Sequence, residues 1–158
     1  MAERGEMVLR LGSGLEFVAS TPSGLELKMD SRVDGGPLPG PSPMEVQLAA
    51  LGGCTGMDTV SILRKMRQDV TSYELRLAHT RAPEHPRVYA TIQMRHILRG
   101  RGILEANVRR AVELTMIRYC PVFAMLHHSV EIREWYEITD DETGAVVAAE
   151  VVPEAGAA

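Results

Sequence analysis

Between residues 7 and 29 apolar and polar positions alternate in three short runs, MVLRL, LEFVA and LELKM, separated by GSG and TPSG. A period of two marks half-buried strands, and the glycine in each connector supplies the backbone freedom of a tight turn, so a three-strand meander is expected. The next stretch, DSRVDGGPLPGPS (30–42), is too dense in Gly and Pro for a helix or a central strand and reads as a crossing loop. Ser42, Pro43 and Glu45 then form a helix start: Ser as N-cap, Pro at the first helical position, and Glu three residues after Ser to complete a capping box. The pattern carries this helix to about Gln68. Its first half, MEVQLAALGGCTGM, is apolar or small all round, and its end is the charged RKMRQD, which predicts a buried N-terminal half and a solvated C-terminal end.

Alternation returns in YELRLA (73–78), with Tyr73, Leu75 and Leu77 on one face, and in VYATIQMRHIL (88–98), with Val88, Ala90, Ile92 and Met94 on one face. RAPEHP lies between them, as in a hairpin. From 104 to 119, Leu104, Val108, Ala111, Val112, Thr115 and Met116 recur at helical spacing and predict a second amphipathic helix. CPVFAMLHH starts afresh as a short helix with Cys120 as cap and Pro121 at its first position, and VEIREWYEI (130–138) alternates as a last strand. Residues 1–138 read as a single domain and 139–158 as a C-terminal tail, either a mobile end or, through GAVVAAEVV, an edge strand. Hairpins with segregated helices make the fold class α+β. A nearly all-apolar long helix is hard to bury in one small domain, so a homodimer that sandwiches it is expected.

Composition narrows the function. The formal charge is −4, with arginines scattered and aromatics at 4%, which leaves no basic stripe or stacking platform for nucleic acid. Residues 1–20 hold no continuous apolar segment, and no run is read as approaching the length of a membrane span, so a cytoplasmic protein is expected, with no membrane partner. In a reducing compartment two cysteines 66 residues apart (120 − 54) are more naturally thiols than a permanent staple.

Those two cysteines are the candidate chemistry. Cys54 has Ala50, Leu51, Met57, Asp58 and Ser61 as helical neighbours. An apolar wall keeps a thiol inert, so Cys54 is either a small core residue or a reactive group for which Gly52, Gly53 and Gly56 vacate room. Each glycine costs the helix about 1 kcal/mol relative to Ala, which a ligand or a close backbone would offset. Cys120, at a helix cap, either sits near unpaired N–H groups or simply fills the corner before Pro121. If the two thiols meet, they make a peroxidatic and resolving pair. His127 and His128 with Cys120 have the donor types of a metal site, but adjacent histidines point to different faces, and no metal or cofactor is expected. Met57 and Met125 are candidates to line an apolar pocket by the thiols.

The run GPSPMEVQLAALGGCTGMDTVSIL and the later YCPVFAML resemble the two signatures of the osmotically inducible protein C and organic hydroperoxide resistance family (OsmC/Ohr), over roughly residues 7–138. The resemblance implies an OsmC-like fold, antiparallel sheets around a long central helix, in an intertwined homodimer. It also implies that the Cys54 thiolate reduces hydroperoxides, that Cys120 condenses with the resulting sulfenic acid, and that a dithiol reductant resets the pair. The family places a Glu ten residues before the first Cys, where it holds an Arg over the thiolate. Here that position is Met44 and the carboxylate is Glu45. Nine residues along a straight helix turn it about 900° and roughly 13 Å away from Cys54, which favours its capping role. The family's Arg lies between the first two strands, where this chain has Gly12, Ser13 and Gly14; Arg10 and Arg32 are the candidates to replace it. Asp58, one turn beyond Cys54, disfavours a thiolate there unless it is paired. Two readings follow: a peroxidase for organic hydroperoxides, or a non-catalytic dimer of the same fold that binds a small apolar ligand.

Overall fold

Where the chain alternates, it folds as strands. The computed structural model describes residues 5–31 and 40–153. β1 (Val8–Leu11), β2 (Phe17–Ser20) and β3 (Glu26–Met29) form an antiparallel meander. Its register sets Leu9 beside Ala19 beside Leu27, and Leu11 beside Phe17 beside Met29, so the period of two gathers all six on one face. Ala19 is buried there, yet Leu9, Leu11, Phe17 and Leu27 stay exposed. Leu9, Leu15, Phe17, Met29 and Pro43 line an apolar hollow of about 280 Å³. At the second turn Gly24 adopts a φ of 83°, and Thr21 Oγ1 accepts the Leu25 N–H at 3.1 Å.

Helix α1 (Pro43–Lys65) opens with the capping box: Ser42 N–H and Oγ–H both donate to Glu45 Oε2 at 2.7 Å, and Ser42 Oγ accepts the Glu45 N–H at 3.3 Å. It ends earlier than Gln68 because Arg67 turns left-handed (φ 56°). Gln68 N–H then bonds Leu63 O and Arg67 N–H bonds Arg64 O, a Schellman closure with Arg where Gly is usual. The chain divides into two compact units, residues 1–49 and 50–158, and the junction falls inside α1. Burial along α1 differs from expectation. Leu51, Thr55, Thr59 and Leu63, one turn apart, are buried, whereas none of residues 43–50 is. A stretch apolar all round does not say which of its turns finds a partner. By length and composition α1 also suffices to cross a membrane, contrary to the sequence reading, because residues 43–60 carry only Glu45 and Asp58 as charges.

In the second unit β4 (Asp69–Arg81) and β5 (Tyr89–Arg101) form a long antiparallel hairpin. The ladder slips between Thr80 and Arg81, so Tyr89, not Val88 or Ala90, takes the buried side ahead of Ile92 and Met94. Helix α2 (Glu105–Leu114) buries Val108, Ala111 and Val112, while Leu104 stands before it and is exposed. A π-helical turn, Thr115–Tyr119, and the short α3 (Pro121–Leu126) complete the crossover to β6 (Glu131–Asp140), and β7 (Val146–Val151) lies along its far edge. The sheet order is β4-β5-β6-β7. The α+β class holds, with one departure from purely antiparallel pairing: β6 runs parallel to β5, which the helical crossover makes possible. The C-terminal residues 154–158 of the expected tail lie outside the described residues.

Candidate functional site

Cys54 and Cys120 are both free thiols, Cys54 half-buried and Cys120 buried. The fold brings them together: their sulfurs and a carboxylate oxygen of Asp58 all lie within 4.8 Å of one another. Cys120 reaches this position through the π-helical turn, in which its N–H bonds Thr115 O at 3.0 Å, five residues back. It then caps α3 as the sequence predicts, its Sγ accepting the Phe123 N–H at 3.3 Å.

Two threonines from the buried stripe of α1 hold the corner. Thr55 Oγ1 donates to Cys120 Sγ at 3.5 Å, and Thr59 and Thr115 share a hydrogen bond of 3.3 Å. Thr115 Oγ1 also donates to Ala111 O at 3.0 Å. Every hydroxyl on this buried seam therefore has a partner, which is the condition for placing it there at all. With α1 clamped to the corner at Thr55 and Thr59, the residues just before each threonine, Cys54 and Asp58, are presented to Cys120.

The electrostatics oppose ionisation of Cys54, whose thiol is pushed up to about 11. Burial is the largest cause, followed by the hydrogen bond with Cys120; the charges of Cys120 and Asp58 add to it, and the Val122 N–H works the other way. Arg10 is engaged in the first sheet, where its Nη1 donates to Ser20 Oγ at 3.4 Å. Arg32 lies outside the described residues. Glu45 closes the capping box at the start of α1.

Of the two roles open to the glycines, close approach accounts for two of the three. A Cβ on Gly52 would sit 3.0 Å from Leu77 Cδ1, and one on Gly56 3.5 Å from Tyr73 Cε1, so these two let α1 press against β4 instead of hollowing a space by the sulfur. Gly53 alone faces open space within the chain. Met57 and Met125 are both strongly exposed, and Met57 lines a surface cleft with Gly56, Val60, Arg64 and Tyr73. His127 Nδ1 bonds Phe123 O at 3.1 Å and its ring stacks on Phe123, so it serves α3 and not the thiol pair.

The sequence reading missed a buried polar chain in the same unit. Tyr73 Oη and His96 Nδ1 are 2.7 Å apart, and His96 Nε2 and Glu134 Oε2 are 2.7 Å apart, with both His96 and Glu134 side chains fully buried. Burial first and Glu134 second push the Tyr73 phenol upward. The signal was in the alternation: His96 falls in the buried phase of Ile92, Met94 and Leu98, and Glu134 in that of Tyr136 and Ile138.

Comparison with known proteins bears on this arrangement. Residues 34–134 match the family model described as OsmC-like protein. The chain is 42% identical over 125 residues to Protein YhfA of Escherichia coli (strain K12), spanning 79% of this chain and 91% of that one. Among solved structures it is similar to a hypothetical protein from Aquifex aeolicus VF5, with a TM-score of 0.79, 30% identity, and coverage of 89% of this chain and 100% of that one. It is also similar to an organic hydroperoxide resistance protein from Elizabethkingia anophelis, with a TM-score of 0.63, 9% identity, and coverage of 89% and 99%. At that identity the last likeness concerns the fold alone.

Proposed function

Because the chain belongs to the OsmC-like protein family, we propose that it is a homodimeric, thiol-dependent peroxidase that reduces organic hydroperoxides through Cys54, with Cys120 as the resolving thiol. The observation that carries this reading is the meeting of the two sulfurs within 4.8 Å from positions 66 residues apart (120 − 54). Cys54 is the more accessible of the two and therefore the one that attacks.

In this mechanism the Cys54 thiolate attacks the distal oxygen of the hydroperoxide, the O–O bond breaks, and the alkoxide leaves and takes a proton to become an alcohol. Cys54 is then a sulfenic acid. The Cys120 sulfur displaces its hydroxyl, which leaves as water with the Cys120 proton, and a disulfide forms. An external dithiol reduces that disulfide by exchange, becoming oxidised itself. Apolar neighbours around Cys54 favour organic peroxides over hydrogen peroxide. A reducing compartment such as the cytoplasm suits two thiols that must return to the free state. The exposed row of Leu9, Leu11, Phe17 and Leu27 supports a second copy as the partner that covers it.

A second reading has its own support. The raised Cys54 thiol is a poor nucleophile at neutral pH, and the hollow lined by Leu9, Leu15, Phe17 and Met29 suits a small apolar ligand in a non-catalytic dimer. Peroxide consumption with cumene hydroperoxide and a dithiol, compared between wild type and Cys54→Ser, separates the two. Turnover that disappears in the variant supports the enzyme; equal rates leave the ligand-binding dimer.

A further inference from the structure

We infer that Cys54, Cys120 and Asp58 form a three-ligand site for a thiophilic divalent cation of the Zn²⁺ class, whose binding competes with oxidation of the two thiols. Each residue offers one donor atom, and the three lie within 4.8 Å of one another. A tetrahedral zinc ion with Zn–S bonds of about 2.3 Å holds two sulfurs about 3.8 Å apart. Side-chain rotation therefore closes the set, and three protein donors leave the fourth position for water.

The donor types select the ion. Two thiolates and one carboxylate suit a borderline-soft metal and not Mg²⁺ or Ca²⁺, which take oxygen ligands. The surroundings are those of a thiolate–metal centre as well. The Phe123 N–H and Thr55 hydroxyl donate to Cys120 Sγ at 3.3 and 3.5 Å. Such outer donors orient sulfur ligands and spread their charge.

Asp58 is the part that peroxide chemistry leaves without a step. Its carboxylate next to two sulfurs is unfavourable for an isolated thiolate, but a dication turns the same three groups from mutually repelling neighbours into ligands. On binding, the two thiol protons pass to solvent as the ion takes their place, with no change of oxidation state. The bound ion occupies the lone pairs that would attack a peroxide, so the metal and the oxidant compete for one site.

The test is a Co²⁺ titration of the reduced, full-length, metal-free protein under anaerobic conditions, with Zn²⁺ added as competitor. The expected result is one cobalt per chain with sulfur-to-cobalt charge-transfer absorption and tetrahedral d–d bands, lost on adding Zn²⁺. Asp58→Asn is expected to weaken binding by at least about tenfold, since even changes outside the ligand shell cost that much. Cobalt on His127 and His128 at the surface would give no sulfur band. A wild-type protein without that band, or Asp58→Asn binding as tightly as wild type, overturns the inference. A second arm needs no substitution: wild type closed to the Cys54–Cys120 disulfide with diamide is expected to take up no tetrahedral cobalt, and retained uptake also overturns it. No peroxide enters either arm, so a protein that consumes peroxide yet binds no cobalt loses this inference and keeps the peroxidase reading.

Discussion

Thr55 Oγ1 donates to Cys120 Sγ at 3.5 Å from the residue next to Cys54 in sequence. The same side chain thus fixes the resolving sulfur and, through the helix it belongs to, the attacking one. Thr55→Val keeps the shape and removes the donor. The variant is expected to lose about 1 kcal/mol of stability in urea unfolding with a dithiol present. It should also close the Cys54–Cys120 disulfide more slowly with diamide. Unchanged stability together with an unchanged closure rate would dispose of the clamp.

The raised Cys54 thiol makes a pH prediction. At pH 7 a thiol titrating at about 11 is ionised in roughly one molecule in ten thousand. With a chelator present, alkylation of Cys54 by iodoacetamide is expected to rise about tenfold per pH unit and to continue rising past the value of an ordinary thiol. Folding stability carries the opposite sign. Above the ordinary thiol value the unfolded chain loses the Cys54 proton while the folded chain keeps it, so stability falls as pH rises from about 8.5 towards 11. A plateau in alkylation below pH 9 would contradict both.

The strands were legible because each gathers its apolar side chains on one face: the alternation in MVLRL, LEFVA and LELKM predicts β1 to β3, and YELRLA with VYATIQMRHIL predicts the hairpin. The capping box at Ser42 and the cap at Cys120 were legible because both are local chemistry. What the sequence concealed is long-range. The parallel partner of β5 depends on how the crossover folds back, and the π-helical turn that aims Cys120 leaves no periodic trace in TMIRY. The electrostatics of Cys54 depend on Val122 and Cys120, each more than sixty residues away in sequence.

Gly52 and Gly53 adjoin in sequence and differ in space. A Cβ at Gly52 meets Leu77 Cδ1 at 3.0 Å, whereas one at Gly53 meets nothing within 4 Å. Gly53→Ala should therefore recover helix propensity and stabilise the fold by up to about 1 kcal/mol. Gly52→Ala has the same propensity to gain but must displace the end of Leu77, and is expected to gain less or to destabilise. Thermal unfolding of the two variants side by side is the check, and a Gly52→Ala protein as stable as Gly53→Ala would deny the close approach of α1 to β4.

The exposed apolar row on the first sheet makes a prediction about assembly. Phe17 lies between Leu11 and Met29 in register, and four of the six residues on that face remain open to solvent. If a second copy covers them, Phe17→Glu places a charge in the interface. Sedimentation equilibrium should then show a dimer for wild type and a shift towards monomer for the variant. A wild type that sediments as a monomer at micromolar concentration would remove the second copy as the cover.

His96 and Glu134 form a fully buried pair 2.7 Å apart, and the Tyr73 hydroxyl hydrogen-bonds the other ring nitrogen of the imidazole. Glu134 Oε1 has no hydrogen-bond partner among the described residues, so the pair is incompletely satisfied. Removing one member leaves the other buried without its mate, and Glu134→Leu alone is expected to cost about 3 kcal/mol or more. His96→Leu should cost a comparable amount, since it strands both Glu134 and the Tyr73 hydroxyl. Replacing both removes the buried pair together and puts apolar side chains beside Met94 and Leu98, with the Tyr73 hydroxyl left as in His96→Leu alone. The double variant should therefore be more stable than the sum of the two losses implies, by at least about 1 kcal/mol. Urea unfolding of the four proteins in this cycle measures that coupling, and strictly additive losses would mean that the two side chains do not depend on each other.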